Sequence, residues 1–367
     1  MVQRSRVRTK SEPKATTAAR TEGALVTPGF HPLADFANFG PSEAEMLLEG
    51  GTDLEVFTRA IADSVCEYLV PRLPRLVSGA TVDKDVVEEW LTRSSIGPFD
   101  EDFANYIRGL THVGAGTTFP GMSVPLPPQM VIGLIAWLEG EILAYLGDVS
   151  DTITLSGVGG IWMDQLMLQL GIMLEPVLGS PSGPRDYSRG HNPELHPYAD
   201  LAGFGMAEGR TLGETGALLE PAGNGVISLA YGYLLSRPES AGYFQDPEHL
   251  AMRKSTLKGW WTRTAADPFE TQGNFGDYMR KVANAHVKGG GADPHQEIPA
   301  QLTIALMGWV EMRVMTALNT ISYDPAGDAT FGELGDPGVL ADVGKAWIKM
   351  LTLQLGVLID PYLKDSA

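Results

Sequence analysis

WMDQLMLQLGIMLEPVL, from Trp162 to Leu178, returns as WIKMLTLQLGVLIDPYL, from Trp347 to Leu363. Both stretches are apolar on nearly every face, so each predicts a buried helix with neighbours on several sides. The glutamine that they share, Gln169 in one and Gln354 in the other, then needs a hydrogen-bond partner inside the protein. Because this helix closes each half of the chain, the pair predicts a duplication of one fold.

The repeat extends along the chain in the same order. HPLADFANFG, from His31 to Gly40, returns as HPYADLAGFG, from His196 to Gly205, and Trp90-Leu-Thr-Arg returns as Trp260-Trp-Thr-Arg. The offset grows from 165 residues at the histidines to 185 at the closing helices, as expected when loops lengthen and helices are kept. We therefore predict a basic, disordered leader (1–26), a first domain (27–178), a linker rich in proline and glycine (179–195) and a second domain (196–367).

Composition limits the function. The chain has 367 residues, 44% of them hydrophobic, which is enough for two cores, and its net charge of -18 argues against nucleic acid or an anionic membrane as a partner. The lone Cys66 excludes an intrachain disulfide and a thiolate-rich metal cluster. Glu139 and Glu141 follow the apolar run from Met130 to Leu138, so we expect no helix that crosses a bilayer, and a cytoplasmic protein.

Apolar residues recur at intervals of three and four in both halves. Leu54, Phe57 and Ile61 illustrate the spacing in the first half, and Leu219 and Ile227 in the second. This spacing predicts amphipathic helices. Alternating strand patterns are nearly absent, the exception being the short run DTITL from Asp151, so the predicted class is all-α.

Two of the seven histidines lie at comparable places in the halves. His112 and His286 each end a segment with helical spacing, and glycines that stop a helix follow at once. A neutral imidazole is the commonest axial donor to haem iron. A histidine at a helix end also stabilises the last carbonyls through the helix dipole, and the spacing alone leaves both roles open.

At these residues the chain resembles the protoglobins, the single-domain haem proteins related to globin-coupled sensors. The matching features are the Thr27-Pro-Gly-Phe start, a tryptophan ahead of the haem helix, Tyr106-x-x-Gly-Leu-x-His112, a following helix opened by proline, and the closing helix with its Leu-Gln pair. The second half has the same features, except that its haem helix lacks the Gly-Leu pair and has two extra residues before His286. If only one domain has kept its haem, this departure points to the second as the one that lost it.

The resemblance implies two globin-like helical sandwiches, each with one b-type haem bound through iron to His112 or His286. The other residues that it places around the haems are Tyr231, Leu257 and Trp260 in the second domain and Tyr68, Val87 and Trp90 in the first. These tyrosines and tryptophans are equally explained as core residues.

The distal position of the first domain stays open among Cys66, Glu67 and Tyr68, because it depends on where one gap is placed. If Cys66 or Val87 faces the iron, the first haem would bind O2 more weakly than the second haem and would favour CO or NO.

Three functions fit these features. The first is reversible binding of a diatomic gas (O2, CO or NO) for sensing or carriage, with a separate redox or signalling protein as partner. The second is a haem enzyme that activates O2, peroxide or nitrogen oxides on a small molecule. The third is a haem-free globin that serves as an interaction module. Single-domain relatives tend to dimerise through their closing helices, so the two halves pair with each other or the chain forms a homo-oligomer.

Overall fold

The computed structural model describes residues 33–34, 39–49, 54–179, 199–244, 246–266, 274–287, 298–322 and 334–363. The predicted leader, the predicted linker beyond residue 179, and the recurring His31 and His196 lie outside these ranges. Helices dominate the described residues, and their only sheet is one two-stranded hairpin. The predicted all-α class is therefore confirmed.

The described part of the first half contains seven helices and the hairpin. They are α1 (Pro41–Glu49), α2 (Leu54–Leu69), α3 (Leu73–Leu76), α4 (Lys84–Ile96), α5 (Glu101–Thr111), β1 (His112–Val113), β2 (Gly116–Thr117), α6 (Pro128–Val149) and α7 (Thr152–Leu174). The run from Asp151, which has a strand pattern, begins α7 instead. The Asp151 carboxylate accepts a hydrogen bond from the Thr154 amide at 2.7 Å and so caps the helix.

The described part of the second half is helical as well, with short 3-10 segments. The helices are α8 (Met206–Ser236), α9 (Pro238–Ala241), α10 (Pro247–Ala266), α11 (Asn274–Val287), α12 (Ala300–Ser322) and α13 (Pro337–Leu358), and the 3-10 segments are Gly242–Phe244 and Asp360–Tyr362. The amphipathic segments predicted around Leu54 and Leu219 are helices α2 and α8.

Each closing helix is held by the same buried hydrogen bond. The indole Nε1 of Trp90 donates to Gln169 at 2.5 Å in the first half, and that of Trp260 donates to Gln354 at 2.5 Å in the second. The predicted need of these glutamines for an internal partner is thus confirmed. A buried amide left without such a partner would cost about 1–3 kcal/mol.

The last two helices of one half pack against the last two of the other. Helix α7 lies along α12, and α6 lies along α13. Small residues allow the close approach, since a Cβ atom on Gly308 would lie 2.7 Å from the Cβ of Met167 and one on Gly147 would lie 2.5 Å from the Cβ of Ala341. The Gly179 amide also donates to the Tyr362 carbonyl at 3.0 Å. One continuous core therefore joins the closing helices of both halves.

A pair of carboxyl groups is buried in this core. Glu139 on α6 and Glu311 on α12 occupy the same place in the repeat, have no exposed surface, and lie 2.8 and 3.0 Å from the hydroxyl oxygen of Thr352. That oxygen is also 2.9 Å from the Ile348 carbonyl. A hydroxyl has one hydrogen to donate, so a carboxyl group near it has to donate in turn and must carry a proton. Burial raises the pKa of both glutamates well above the usual range, in keeping with this arrangement.

Helix α6 is long and apolar enough, by length and composition, to cross a membrane, although Glu139 and Glu141 led us to expect no such helix. In the structure 72% of its most apolar window is buried against protein. The core helix of a folded domain meets the same criterion.

Candidate functional site

A cavity of about 370 Å³ lies inside the second half, among helices α8, α10, α11 and α12. Ligand cavities in proteins have volumes of about 300–1,000 Å³. Its walls are mainly apolar, and the residues that form them include Ala230, Leu234, Phe244, Leu257, Leu302 and Leu306. Six polar side chains also line it: Tyr231, Ser240, Arg253, Thr256, His286 and Thr303. Of these, His286, Tyr231 and Arg253 can act as a metal ligand, a phenol donor and a cation.

His286 lies in the last turn of α11, and its ring is oriented by its own helix. The Nδ1 atom is 2.9 Å from the Val282 carbonyl one turn earlier, so Nδ1 carries the proton that is donated to this oxygen. The other ring nitrogen, Nε2, is then the unprotonated one. Burial lowers the pKa of His286, which keeps the imidazole neutral. A neutral imidazole whose Nδ1–H binds a backbone carbonyl is the form in which histidine ligates metals.

Tyr231 is the second polar group in the cavity. It lies on α8, is 5% exposed, and its hydroxyl makes no hydrogen bond within the described residues. Its ring packs edge-on against Phe244 with the centroids 5.5 Å apart. Burial raises the pKa of Tyr231 to about 12, so the hydroxyl keeps its proton at neutral pH. The cavity therefore contains a hydrogen-bond donor with no partner of its own.

Not every predicted residue of the second half reaches the cavity. Leu257 lines it, one turn after Arg253 on the same face of α10. Trp260 is absent from its lining and instead donates to Gln354 on α13. Trp260 thus links α10 to the closing helix, as a core residue does.

Stacked aromatic pairs show which residues of the two halves correspond. Tyr68 stacks on Trp137 with the ring centroids 4.2 Å apart, and Tyr233 stacks on Trp309 at 5.6 Å. With Tyr68 matched to Tyr233, the residue that corresponds to Tyr231 is two positions earlier, at Cys66. Of the three residues left open by the sequence, Cys66 therefore holds this position in the first half.

The first half is packed where the second is open. Val87 corresponds to Leu257, and it has no exposed surface. Val65, Trp90 and Phe119 have none either, so none of these side chains borders a space that water could enter. Phe119 packs edge-on against Trp90 with the centroids 5.4 Å apart.

The segment after His112 closes this region. Gly121 has a φ of +82°, and a Cβ atom there would lie 2.7 Å from both the Asp83 carbonyl oxygen and a methyl group of Val87. The Asp83 amide donates to the Gly121 carbonyl at 2.7 Å. The backbone around Gly121 thus covers the start of α4 directly, and only glycine fits there.

His112 and Tyr68 are both engaged elsewhere. The Nε2 atom of His112 is 2.9 Å from the Ile172 carbonyl on the closing helix of the same half. The Tyr68 hydroxyl donates to the Leu201 carbonyl, in the second half of the chain, at 2.8 Å. Of the eight residues predicted from the sequence, the structure thus gathers His286, Tyr231 and Leu257 around one cavity, and it places His112, Tyr68, Val87, Trp90 and Trp260 in other contacts.

Sequence reasoning missed Arg253. Its signal was the spacing of four residues to Leu257, which puts both on one face of a helix. That spacing is informative only once α10 is known to begin at Pro247, well before Arg253.

Packed helices with an imidazole at the wall of a mainly apolar cavity are typical of a globin-like fold. Residues 191–367 match the family model of the protoglobins. This match supports a globin-like, all-α fold for the second half. No curated protein and no solved structure matches the chain.

Proposed function

We propose that the second domain binds one b-type haem through His286 and that this haem takes up a diatomic gas, O2, CO or NO, for sensing or carriage. The observation that carries the proposal is the state of His286. Its Nδ1–H is bound to the Val282 carbonyl, and its Nε2 is unprotonated at the wall of an apolar cavity. Protoglobins typically bind haem, and the residues of this cavity fit that group.

The other residues of the cavity have separate roles in this function. A haem held through His286 would supply the iron that binds a gas. The protonated Tyr231 hydroxyl donates a hydrogen bond to a polar ligand such as O2. Leu257, Leu302 and Leu306 exclude water from the site.

We propose further that the first domain is globin-like and free of haem. Val65, Val87 and Phe119 are fully packed, and the Nε2 atom of His112, the nitrogen that corresponds to the free one of His286, lies against a backbone carbonyl. This domain supplies helices α6 and α7 as an internal partner for α12 and α13. The pairing takes the place of a dimer between two chains.

Haem stoichiometry tests both proposals. The chain is expressed with haem precursors, purified, and assayed for iron, porphyrin and protein, with absorbance spectra in the ferric, ferrous and CO-bound states. We expect a Soret band and one haem per chain. Two haems per chain would contradict the haem-free first domain, and absence of a Soret band after reconstitution would contradict the proposed function.

The unpaired Arg253 in the cavity is the observation that favours the enzyme alternative, because a cation beside bound peroxide or nitrogen oxide assists its activation. Steady-state turnover of peroxide and of NO decides between the two. A gas carrier or sensor shows reversible binding with slow turnover, whereas an enzyme consumes either substrate over many cycles.

A further inference from the structure

Arg253 is a cation in a mainly apolar cavity. Its guanidinium carbon lies 5.4 Å from the centre of the Phe244 ring, and its Nε atom is buried with no hydrogen-bond partner. No ion pair is formed by Arg253 within the described part of the chain. Burial lowers the pKa of Arg253, but a guanidinium stays charged at neutral pH.

Arg253 is half-buried, and a negative charge beside its guanidinium would offset the cost of removing it from water. Among the described residues no acid lines the cavity, whose other polar residues are Tyr231, Ser240, Thr256, His286 and Thr303. A bound anion would supply the opposite charge that the described residues do not.

We propose that Arg253 makes the cavity selective for a small anionic ligand, which it holds together with the hydroxyl of Tyr231. This inference rests on the proposed function and specifies which ligand class the same site takes. Both side chains contact Phe244, with the Arg253 guanidinium carbon 5.4 Å and the Tyr231 ring centroid 5.5 Å from the centre of its ring, and all three residues line the cavity. A guanidinium offers several donors to an anion, and the phenol adds one more. Azide and nitrite are anions of this size.

The carboxylates of the haem are a second source of negative charge, and the experiment separates the two. Azide binding to the ferric protein is titrated by absorbance for the wild type and for Arg253→Met, Arg253→Lys and Lys258→Met. Lys258 is exposed on the same helix and lies outside the cavity lining, so its replacement removes an equal charge without altering the cavity. Carbon monoxide binding to the ferrous protein measures a neutral ligand in the same cavity, and the rate of haem transfer to an acceptor globin measures haem retention.

We expect Arg253→Met to raise the Kd for azide by about 10- to 100-fold, the value of a charge-assisted hydrogen bond. Arg253→Lys should recover part of this affinity, and Lys258→Met should leave it within about twofold of the wild type. In Arg253→Met the change in carbon monoxide affinity should be much smaller than the change in azide affinity, because a neutral ligand needs no guanidinium, and Lys258→Met should leave carbon monoxide affinity and haem retention unchanged.

An unchanged azide Kd in Arg253→Met overturns the inference and leaves the proposed function intact. Loss of azide and carbon monoxide affinity together overturns it as well, because the effect would then be one of general packing. Faster haem loss with unchanged azide affinity assigns Arg253 to the haem carboxylates, which also overturns it. A wild-type chain without a Soret band removes the proposed function and this inference together.

Discussion

The two halves close their cores in the same way but differ where two helices start and stop. Helix α10 begins 13 residues before Trp260, whereas α4 begins only 6 before Trp90. Helix α11 runs 9 residues past Tyr278, and α5 runs only 5 past Tyr106. The longer helices of the second half include the two residues with cavity chemistry, Arg253 and His286. The two halves thus differ at these helix ends, while the packing of the closing helices is the same.

The same comparison explains the difference between the two histidines. Helix α11 continues through His286, so the ring reaches the carbonyl of its own helix one turn back. Helix α5 stops at Thr111, and His112 begins strand β1. Its ring then points to the closing helix, where Nε2 meets the Ile172 carbonyl. A similar position in the sequence therefore gives different orientations of the imidazole.

The largest expected effect comes from replacing each histidine in turn. His286→Ala should remove nearly all of the Soret absorbance, because it deletes the only imidazole at the cavity wall within the described residues, while His112→Ala should retain it. Haem per chain and the ferrous CO spectrum measure this. Equal losses in the two variants would contradict the assignment of the haem to the second domain.

The packed space of the first half should be costly to empty. Phe119→Ala removes a ring with no exposed surface, and we expect the free energy of unfolding to fall by about 3–5 kcal/mol, measured in urea by circular dichroism. The control is Ile153→Ala on α7, where the side chain is 61% exposed and a change within about 0.5 kcal/mol is expected. A loss below about 1 kcal/mol at Phe119 would mean that this space is open in solution.

Much of this fold could be read from the sequence. The repeat, the helical spacing and the buried glutamines follow from local patterns. In the structure each glutamine accepts a hydrogen bond from a tryptophan. Which half contains the open cavity could not be predicted. It depends on where α10 begins and on how the segment at Gly121 folds back over α4, and both are set by tertiary contacts. The drift of the second haem helix suggested lost function there, yet the added residues are the ones that carry His286 to the cavity.

The buried carboxyl pair is another feature that local patterns did not predict, because Glu139 was interpreted only as a charge that interrupts an apolar run. Glu139 and Glu311 occupy corresponding positions in the two halves, so the packing of the halves brings them together in the core. The result is a dependence of stability on pH. The native state retains protons that the unfolded chain releases above pH of about 4.3.

The contribution of this pair to the free energy of unfolding should therefore be fully present below that pH. It should fall as the pH rises through the elevated folded pKa values of Glu139 and Glu311. Glu139→Gln removes one titrating group and keeps a hydrogen-bonding side chain, so it should reduce this loss by about 1–3 kcal/mol between pH 5 and 8. Urea unfolding at several pH values measures it. Burial also raises the pKa of Asp164 on α7, and this group contributes to the pH dependence of the wild type and the variants alike. Asp148 is exposed on the same helix as Glu139, so Asp148→Asn should leave the slope of unfolding free energy against pH unchanged. If Glu139→Gln also leaves this slope unchanged, the pair does not hold an extra proton.

The smallest expected effect tests the difference between Tyr231 and Cys66, which hold the same position in the two halves. Tyr231→Phe removes the free hydroxyl of the cavity and should speed O2 dissociation by about 2- to 12-fold, the value of one net hydrogen bond of about 0.5–1.5 kcal/mol. Tyr233→Phe is the matched control, because this tyrosine lies on the same helix but stacks on Trp309 and does not line the cavity. Cys66→Ala should also leave the rate unchanged, since we place no haem beside it. Stopped-flow mixing of the oxygenated protein with CO measures all three. Faster release in Cys66→Ala would mean that the first domain binds O2 too, and the contrast between the halves would then be one of degree.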